Sequence, residues 1–414
     1  MRTNITNIDF VLAFYNIGIR LYHFAVFVAS FFNPKAKKWL DGRVGLLTRI
    51  EKETSGFSGE TLWVHCASLG EFEMARPIIE RLKESNSSLR VILTFFSSSG
   101  YEVQKNYELA DHVFYMPLDT KANASRFVNA IKPSKVIFVK YDLWFHHLNE
   151  AKKHGAKLML ISAQFIASQQ YFKFYGATGR KALQLFSKIF LVDGDSEKLL
   201  HQIDVKNTTV CGDTRYDRVM EIAEKAESIS EIEQFKGDSK LVVCGSTWLE
   251  DEKLLQSALS SFPGTKWIIA PHEVGPKNIE RLEMLFPGSV RLSKYQNSNV
   301  DVLIIDSIGL LSKVYQYADV AYVGGGFRTG LHNILEATAF GVPTVFGPDY
   351  SRFPDAGEMV YNGLAFSIRN ENELESKLEE LLNNNESDLK VAILDFMNNR
   401  MGATEAILEY TNKC

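Results

Sequence analysis

"WVHCASLGEFEMARPIIERLK", residues 63 to 83, contains one complete step of the fold. The apolar run at 63–66 reads as a strand buried on both faces. Ser-Leu-Gly-Glu reads as a turn, and the apolar spacing after it reads as an amphipathic helix. Glu71, an ionisable residue, stands at the mouth of that turn. Gly70 permits the turn, and Ser68 is placed to cap it. Pro77 has no amide proton, so the helix is expected either to kink there or to start near Ala75, the latter placing Glu71 in the loop ahead of it. A nearby helix start lowers a carboxyl pKa and burial raises it; sequence does not say which wins. By residue type alone, Glu71 suits a general base or a helix-capping glutamate equally well.

Outward from this stretch the strand–helix step repeats. "LRVILTFF" (89–96), "HVFYMP" (112–117), "KVIFVK" (135–140), "KLMLIS" (157–162) and "KIFLVD" (188–193) alternate with helical patterns such as "TKANASRFVNAIK" (120–132). Near-continuous apolar strands between helices predict a parallel sheet covered on both faces. A polar stretch at 225–240 interrupts the pattern. It resumes with "LVVCGS" (241–246), "KWIIAP" (266–271), "DVLIID" (301–306), "DVAYVGGG" (319–326) and "PTVFGP" (343–348). The expected fold class is therefore α/β: two Rossmann-like domains facing a cleft, with ligands at the carboxyl ends of the strands. Domain bounds are expected at 1–33 (N-terminal segment), 34–208, 209–390 and 391–414, the last being helices that cross back to the first domain.

The chain has 414 residues, enough for two ordinary domains, and 45% hydrophobic content, which places it among globular proteins. A net charge of -4 argues against a nucleic-acid binder working by broad phosphate neutralisation. Cys66, Cys211, Cys244 and Cys414 are scattered, which suits a reducing compartment and gives neither a metal nor a disulfide framework. Residues 10–32, "FVLAFYNIGIRLYHFAVFVASFF", are nearly long enough to cross a bilayer and are followed by Lys35, Lys37, Lys38 and Arg43. This segment predicts membrane association, either as a single anchor with the body in the cytoplasm or as a helix lying in the interface with Arg20 snorkelling. A buried core helix is the plain alternative.

The strongest chemical signal is "VGGGFRTGLHNILEATAFGVPTVFGP" (323–348). Gly324, Gly325 and Gly326 follow a strand, and Gly330, His332 and Asn333 are expected to open a helix continuing "ILEATAF". Such a turn lets backbone amides approach an anion, with the helix start adding partial positive charge. Glu336 is placed to take both hydroxyls of a ribose. A glycine turn made for tight packing is the competing reading. The order is not that of a dinucleotide fingerprint. Arg328 could meet a carboxylate or phosphate. Ser246 and Thr247 could bond a phosphate or cap the next helix. Arg215 and Asp217 could orient donor or domain contacts or, equally, form a turn-holding pair, while His65 and His112 read as core histidines. His146-His147 is not metal spacing, and Asp193-Gly194-Asp195 reads as a turn and helix cap. No catalytic metal is predicted.

With "HCASLGE" (65–71), "PLDT" (117–120), "YDLW" (141–144), "GDTRYD" (212–217), "GSTW" (245–248), "ADVAYVGGG" (318–326) and "GLHNILEATAFGVPTVFGP" (330–348) in order, the chain resembles the 3-deoxy-D-manno-octulosonic acid (Kdo) transferases of lipopolysaccharide biosynthesis along nearly its whole length. The resemblance implies a GT-B glycosyltransferase fold, CMP-Kdo as donor substrate with no cofactor, and a lipid A precursor of the lipid IVA type as acceptor. It also implies a place among the lipids of the inner membrane, on the cytoplasmic face, no nucleic-acid partner, and Glu71 as general base in an inverting transfer. Donor contacts then fall to Gly325, Gly326, Arg328, Gly330, His332, Asn333, Glu336, His272, Ser246 and Thr247, with Ser68 and Gly70 on the acceptor side. Departures occur at Lys140, where the family usually has an acid, at Pro271-His272-Glu273 in place of Pro-Arg-His, and at Leu310, where an acid is frequent. The second leaves His272 to take part of a basic contact. Two other functions fit parts of the pattern: a nucleotide-sugar epimerase on the same scaffold, or a non-catalytic, membrane-docked nucleotide-binding protein.

Overall fold

The structure, a computed structural model, describes residues 3–328, 330–383 and 387–413, with side chains from Leu12 onward. Cys414, the last of the scattered cysteines, lies outside the described residues. The chain divides into two compact units, residues 1–217 with 401–414, and residues 218–400. These divisions fall nine and ten residues beyond the expected boundaries at 208 and 390.

The first unit holds β1 (Thr61–Cys66), β2 (Arg90–Phe95), β3 (His112–Tyr115), β4 (Lys135–Val139), β5 (Lys157–Ala163), β6 (Lys188–Leu191) and β7 (Thr208–Val210). Their order in the sheet is β3-β2-β1-β4-β5-β6-β7, and every pairing is parallel. All six residues of β1 and of β2 are buried, as expected of strands covered by helices on both faces. Trp63 anchors one face, with its ring edge-on to Phe127 and Phe138.

The second unit holds β8 (Leu241–Thr247), β9 (Lys266–Pro271), β10 (Val290–Arg291), β11 (Val302–Ile304), β12 (Val320–Val323), β13 (Thr344–Phe346) and β14 (Ala365–Ser367). Their order is β10-β11-β9-β8-β12-β13-β14, again with every pairing parallel. Strands β7, β10 and β14 were not foreseen. Each has only two or three residues at a sheet edge, too short to show an apolar run.

This topology determines where chemistry can occur. In the first sheet the chain winds outward from β1 to β3, then returns to place β4 beside β1. In the second it does the same with β8 and β12. The loops leaving β1 and β4, and those leaving β8 and β12, therefore part from each other at the carboxyl edge of each sheet, where such sheets hold ligands.

The C-terminal helix Ala403–Lys413 belongs to the first unit. Asp217 caps it by accepting from the amides of Gly402 (2.6 Å) and Thr404 (2.7 Å). Arg215 instead pairs with Asp213 at 2.9 Å. Within the helix Thr3–Ala29, the window Leu12–Ala29 is almost entirely unburied, so the core-helix alternative does not hold for it.

Candidate active site

At the first switch point, β1 runs through Ala67 into the helix Leu69–Ser85. This helix starts earlier than expected. It runs through Pro77 and forgoes one hydrogen bond to the Glu73 carbonyl, because Phe72, Ala75, Ile78, Ile79 and Leu82 bury its apolar stripe. Glu71 thus lies in the first turn, not in the loop ahead. Ser68 is the N-cap position but makes no side-chain cap bond. Glu71 reaches back past the cap and accepts from the Ala67 amide through Oε2 at 2.5 Å. No protein hydrogen bond reaches its Oε1 among the described residues. Gly70 adopts ordinary helical backbone with open space where a Cβ would sit, so the turn does not require glycine.

The contest over the pKa of Glu71 is decided by burial, which raises it. The Asp142 charge adds to the rise; the Ala67 amide, His65 and Lys140 oppose it. Asp142, after β4, accepts from Trp144 Nε1 at 2.9 Å and lies 2.8 Å from His65 Nε2. His65 is fully buried, and its Nδ1 meets Thr94 Oγ1 at 2.9 Å, so it is a satisfied core histidine that also braces Asp142. Lys140, directly after β4, is in the left-handed region at φ 61°, a strained conformation costing about 1–3 kcal/mol for a non-glycine residue. Asp142 and Trp144 belong to this carboxylate cluster, yet sequence reasoning used them only as part of a resemblance.

At the second switch point the expected anion cradle is built differently. The Gly325 amide donates to Asp251 Oδ2 at 2.9 Å, and the His332 amide donates to the Gly324 carbonyl. Gly325 has φ 91°, and a Cβ there would lie 2.3 Å from the Gly330 carbonyl oxygen; a Cβ at Gly324 would lie 2.5 Å from the Ser246 carbonyl oxygen. Tight packing therefore accounts for these two glycines. The expected long helix after Asn333 is one turn, Leu335–Thr338, too short to provide a helix-terminus anion site. Asn333 donates to Glu336 Oε1 at 3.2 Å and accepts from the Leu335 amide, so these two residues do meet.

His332 turns the other way, into a stack with Trp248 and His272. The His272 ring lies 4.6 Å from Trp248 and 4.5 Å from His332, nearly parallel to both. Trp248 Nε1 donates to His332 Nε2 at 2.9 Å, which places the proton of neutral His332 on Nδ1. Burial, helped by the neighbouring His272, lowers the His332 pKa to about 4. Burial also lowers that of His272. Both rings are therefore neutral near pH 7 and offer N–H dipoles, not the cationic contact expected of His272.

Asp251 holds this end together. It is buried and accepts from the Trp248 amide, the Gly325 amide and Tyr322 Oη. Its sequence signal was masked, because "LEDEKLL" looks like the acidic first turn of any helix. Thr247 is buried and donates to Glu252 Oε1, so it neither caps the helix nor faces a ligand. Ser246 is strained at φ 54°. Arg328 is exposed and pairs with Glu250 at 2.9 Å. Gly326 and Gly330 lie in the same loop, Gly330 at φ 93°.

The remaining polar candidates have structural roles. Asp193 caps the helix Gly194–His201 through the Ser196 amide, and Asp195 pairs with Lys198. His112 stacks on Phe114. His146 and His147 converge on buried Asp119. Burial would raise that carboxyl's pKa, but bonds from His147, Tyr15 and the His146 amide hold it below the usual carboxylate range. No cluster of metal-ligating side chains occurs among the described residues.

Residues 38–218 match the family model described as 3-Deoxy-D-manno-octulosonic-acid transferase (kdotransferase). A 3-deoxy-D-manno-octulosonic acid transferase of Aquifex aeolicus is 28% identical over 330 residues, covering 78% of this chain and 86% of that protein. One from Rickettsia felis is 26% identical over 394 residues, covering 90% and 83%. This chain is similar to the Kdo transferases. The stretch matched by the family model contains the Glu71 cluster, and the longer alignments extend the kinship beyond it. Among solved structures, UDP-GlcNAc 2-epimerase from Neisseria meningitidis superposes with a TM-score of 0.59 at 18% identity, covering 86% of this chain and all of that one. At that identity the likeness shows a shared fold and nothing of the chemistry.

Proposed function

We propose that this chain is an inverting glycosyltransferase that moves Kdo from CMP-Kdo to a lipid A precursor of the lipid IVA type, at the cytoplasmic face of the inner membrane. The observation that carries the reading is Glu71. It is a carboxylate at the switch point of the first sheet, with one oxygen on the Ala67 amide and a pKa raised by burial, inside the segment that matches the transferase family.

A sugar hydroxyl is too weakly acidic to attack unaided. The Glu71 carboxylate takes its proton as the oxygen bonds to the anomeric carbon of Kdo, while the bond from that carbon to the phosphate oxygen breaks and CMP leaves with the electron pair. A single displacement inverts the anomeric centre. The raised pKa makes Glu71 a stronger base than an exposed glutamate, provided it is ionised at the working pH. In the second unit, His332 presents a fixed Nδ1–H, Glu336 and Asn333 supply acceptor and donor groups for a ribose, and Arg328, paired with Glu250, supplies positive charge. The N-terminal segment keeps the protein at the lipid surface where the acceptor resides.

Release of CMP from CMP-Kdo tests the reading. It is expected only when a lipid IVA-type acceptor is present. Release independent of acceptor, or conversion of the donor without transfer, would favour an epimerase-like activity; no turnover under either condition would favour a binding protein.

A further inference from the structure

The N-terminal helix has two distinct faces. Along one, Tyr15 donates to Asp119 at 2.5 Å, Asn16 Oδ1 lies 2.6 Å from His146 Nε2, Ile19 is buried, and Tyr22 packs on Trp39 and Phe96. Along the other, Phe14, Ile17, Leu21, Phe24, Val28 and Phe31 form an exposed stripe at helical spacing. The apolar window Leu12–Ala29 is 18 residues long, about 27 Å, close to the thickness of a hydrocarbon core. Residues 15 to 22, nearly half of that window, are bound to the α/β body. A perpendicular span would have to draw buried Asp119 and its partners into hydrocarbon, or break those contacts.

A second apolar element adjoins the first. Phe174 is 95% exposed, Tyr175 60% and Ile166 57%. Their loop is not slack. Arg180 Nη1 donates to the carbonyls of Tyr171 (2.9 Å) and Lys173 (2.8 Å), buried Tyr171 donates to the Tyr141 carbonyl, and a Cβ at Gly176 would lie 2.0 Å from the Gln170 carbonyl oxygen. A pinned backbone holding bare aromatic rings in water has an unmet apolar surface. Phe14 and Tyr15 of the helix and Tyr141, Tyr171 and Tyr175 line one cavity of about 460 Å³, and Asp142 of the carboxylate cluster opens onto it. Residues 10–40 and 166–176 contain no acidic side chain, and Lys35, Lys37, Lys38 and Lys173 are exposed. Apolar stripes rimmed by cations match a bilayer surface with anionic headgroups.

We infer that the N-terminal helix lies in the plane of the membrane, exposed stripe down, and that the 166–175 loop inserts beside it as a second foot through Phe174 and Tyr175. This rests on reading the N-terminal segment as membrane-associated. Both contacts sit next to the cavity that Asp142 lines, so an acceptor anchored in the lipid would approach it laterally without leaving the bilayer.

Nitroxide labels at positions 14, 17, 21, 24, 28 and 174 of the full chain, on phosphatidylethanolamine–phosphatidylglycerol vesicles, test this through their accessibility to oxygen. All six are expected to gain oxygen accessibility at similar shallow depth. A depth that increases steadily along the helix to mid-bilayer would establish a span and overturn the inference. A label at 174 that stays aqueous while the protein remains bound would overturn the second foot. Protection of position 174 by self-association without lipid would assign that face to a second copy instead. The Ile166→Ser, Phe174→Ser pair, at exposed positions that do not line the cavity, is expected to weaken vesicle partitioning about tenfold. Acceptor-dependent CMP release in detergent should be unchanged, and its loss in the unmodified protein would count against the transferase reading and not against this one.

Discussion

The two switch points have the same topology and opposite chemistry. After β1, a helix of 17 residues starts directly at the strand end and places an ionisable side chain in its first turn, with one oxygen bound and a raised pKa. After β12, a glycine loop leads to a single helical turn, and the Gly325 amide is already bound by Asp251. The histidines beside it are held neutral by burial. The first end is suited to moving a proton. The second is suited to holding a shape through fixed dipoles and stacked rings. The motif with the most glycines is therefore not the richest in available amides, and what converges there are the side chains of Trp248, His272 and His332, with Asp251 bonded to the Trp248 amide.

If the contrast holds, changes at the first end should act on rate, and changes at the second on donor binding. The largest effect is expected from Glu71→Gln, which should lower kcat by about 10²–10⁴-fold while calorimetric affinity for CMP-Kdo stays within about twofold. A parallel loss of affinity would erase the distinction. Asp251→Ala should be next. It strands the Trp248 and Gly325 amides and Tyr322 Oη, so a loss of about 1–3 kcal/mol in denaturant-unfolding stability is expected, together with weaker donor binding. Trp248→Phe keeps the stack but removes the proton donor to His332, and donor affinity should fall by a few fold. Nitrogen NMR should then show a mixture of His332 tautomers in place of Nδ1–H alone.

The smallest effect sharpens the reading of Glu71. Its folded pKa lies above its unfolded value, so ionisation opposes folding. That penalty is present at neutral pH and vanishes as pH falls below the unfolded pKa. Glu71→Gln should therefore match or exceed the parent in Tm at neutral pH, with the gap closing in acid. The acid limb of the parent's pH–rate profile should lie above the ordinary glutamate value of about 4.3. A variant clearly less stable at neutral pH would mean that capping of Ala67 outweighs the burial penalty.

Much of this architecture was legible in the sequence, because buried parallel strands read as continuous apolar runs; "KWIIAP" coincides with β9 residue for residue. Helix ends were harder to read. Pro77 suggested a late start, whereas burial of the apolar stripe around it carries the helix through. "HNILEATAF" suggested a long helix where tertiary packing permits one turn. The carboxylates that organise the sites, Asp142 and Asp251, leave little local signal, since their partners His65, Gly325 and Tyr322 are distant in sequence. Neutralisation of His272 and His332 depends on a stack assembled from three separate loops, which no linear pattern reveals.

The most direct measurement is mass spectrometry of a lipid IVA-type precursor incubated with CMP-Kdo and either the parent protein or Glu71→Gln. The expected result is an acceptor heavier by Kdo with the parent and an unchanged acceptor with the variant. An unchanged acceptor with both proteins, or equal product from both, would contradict Kdo transfer or the role of Glu71 respectively.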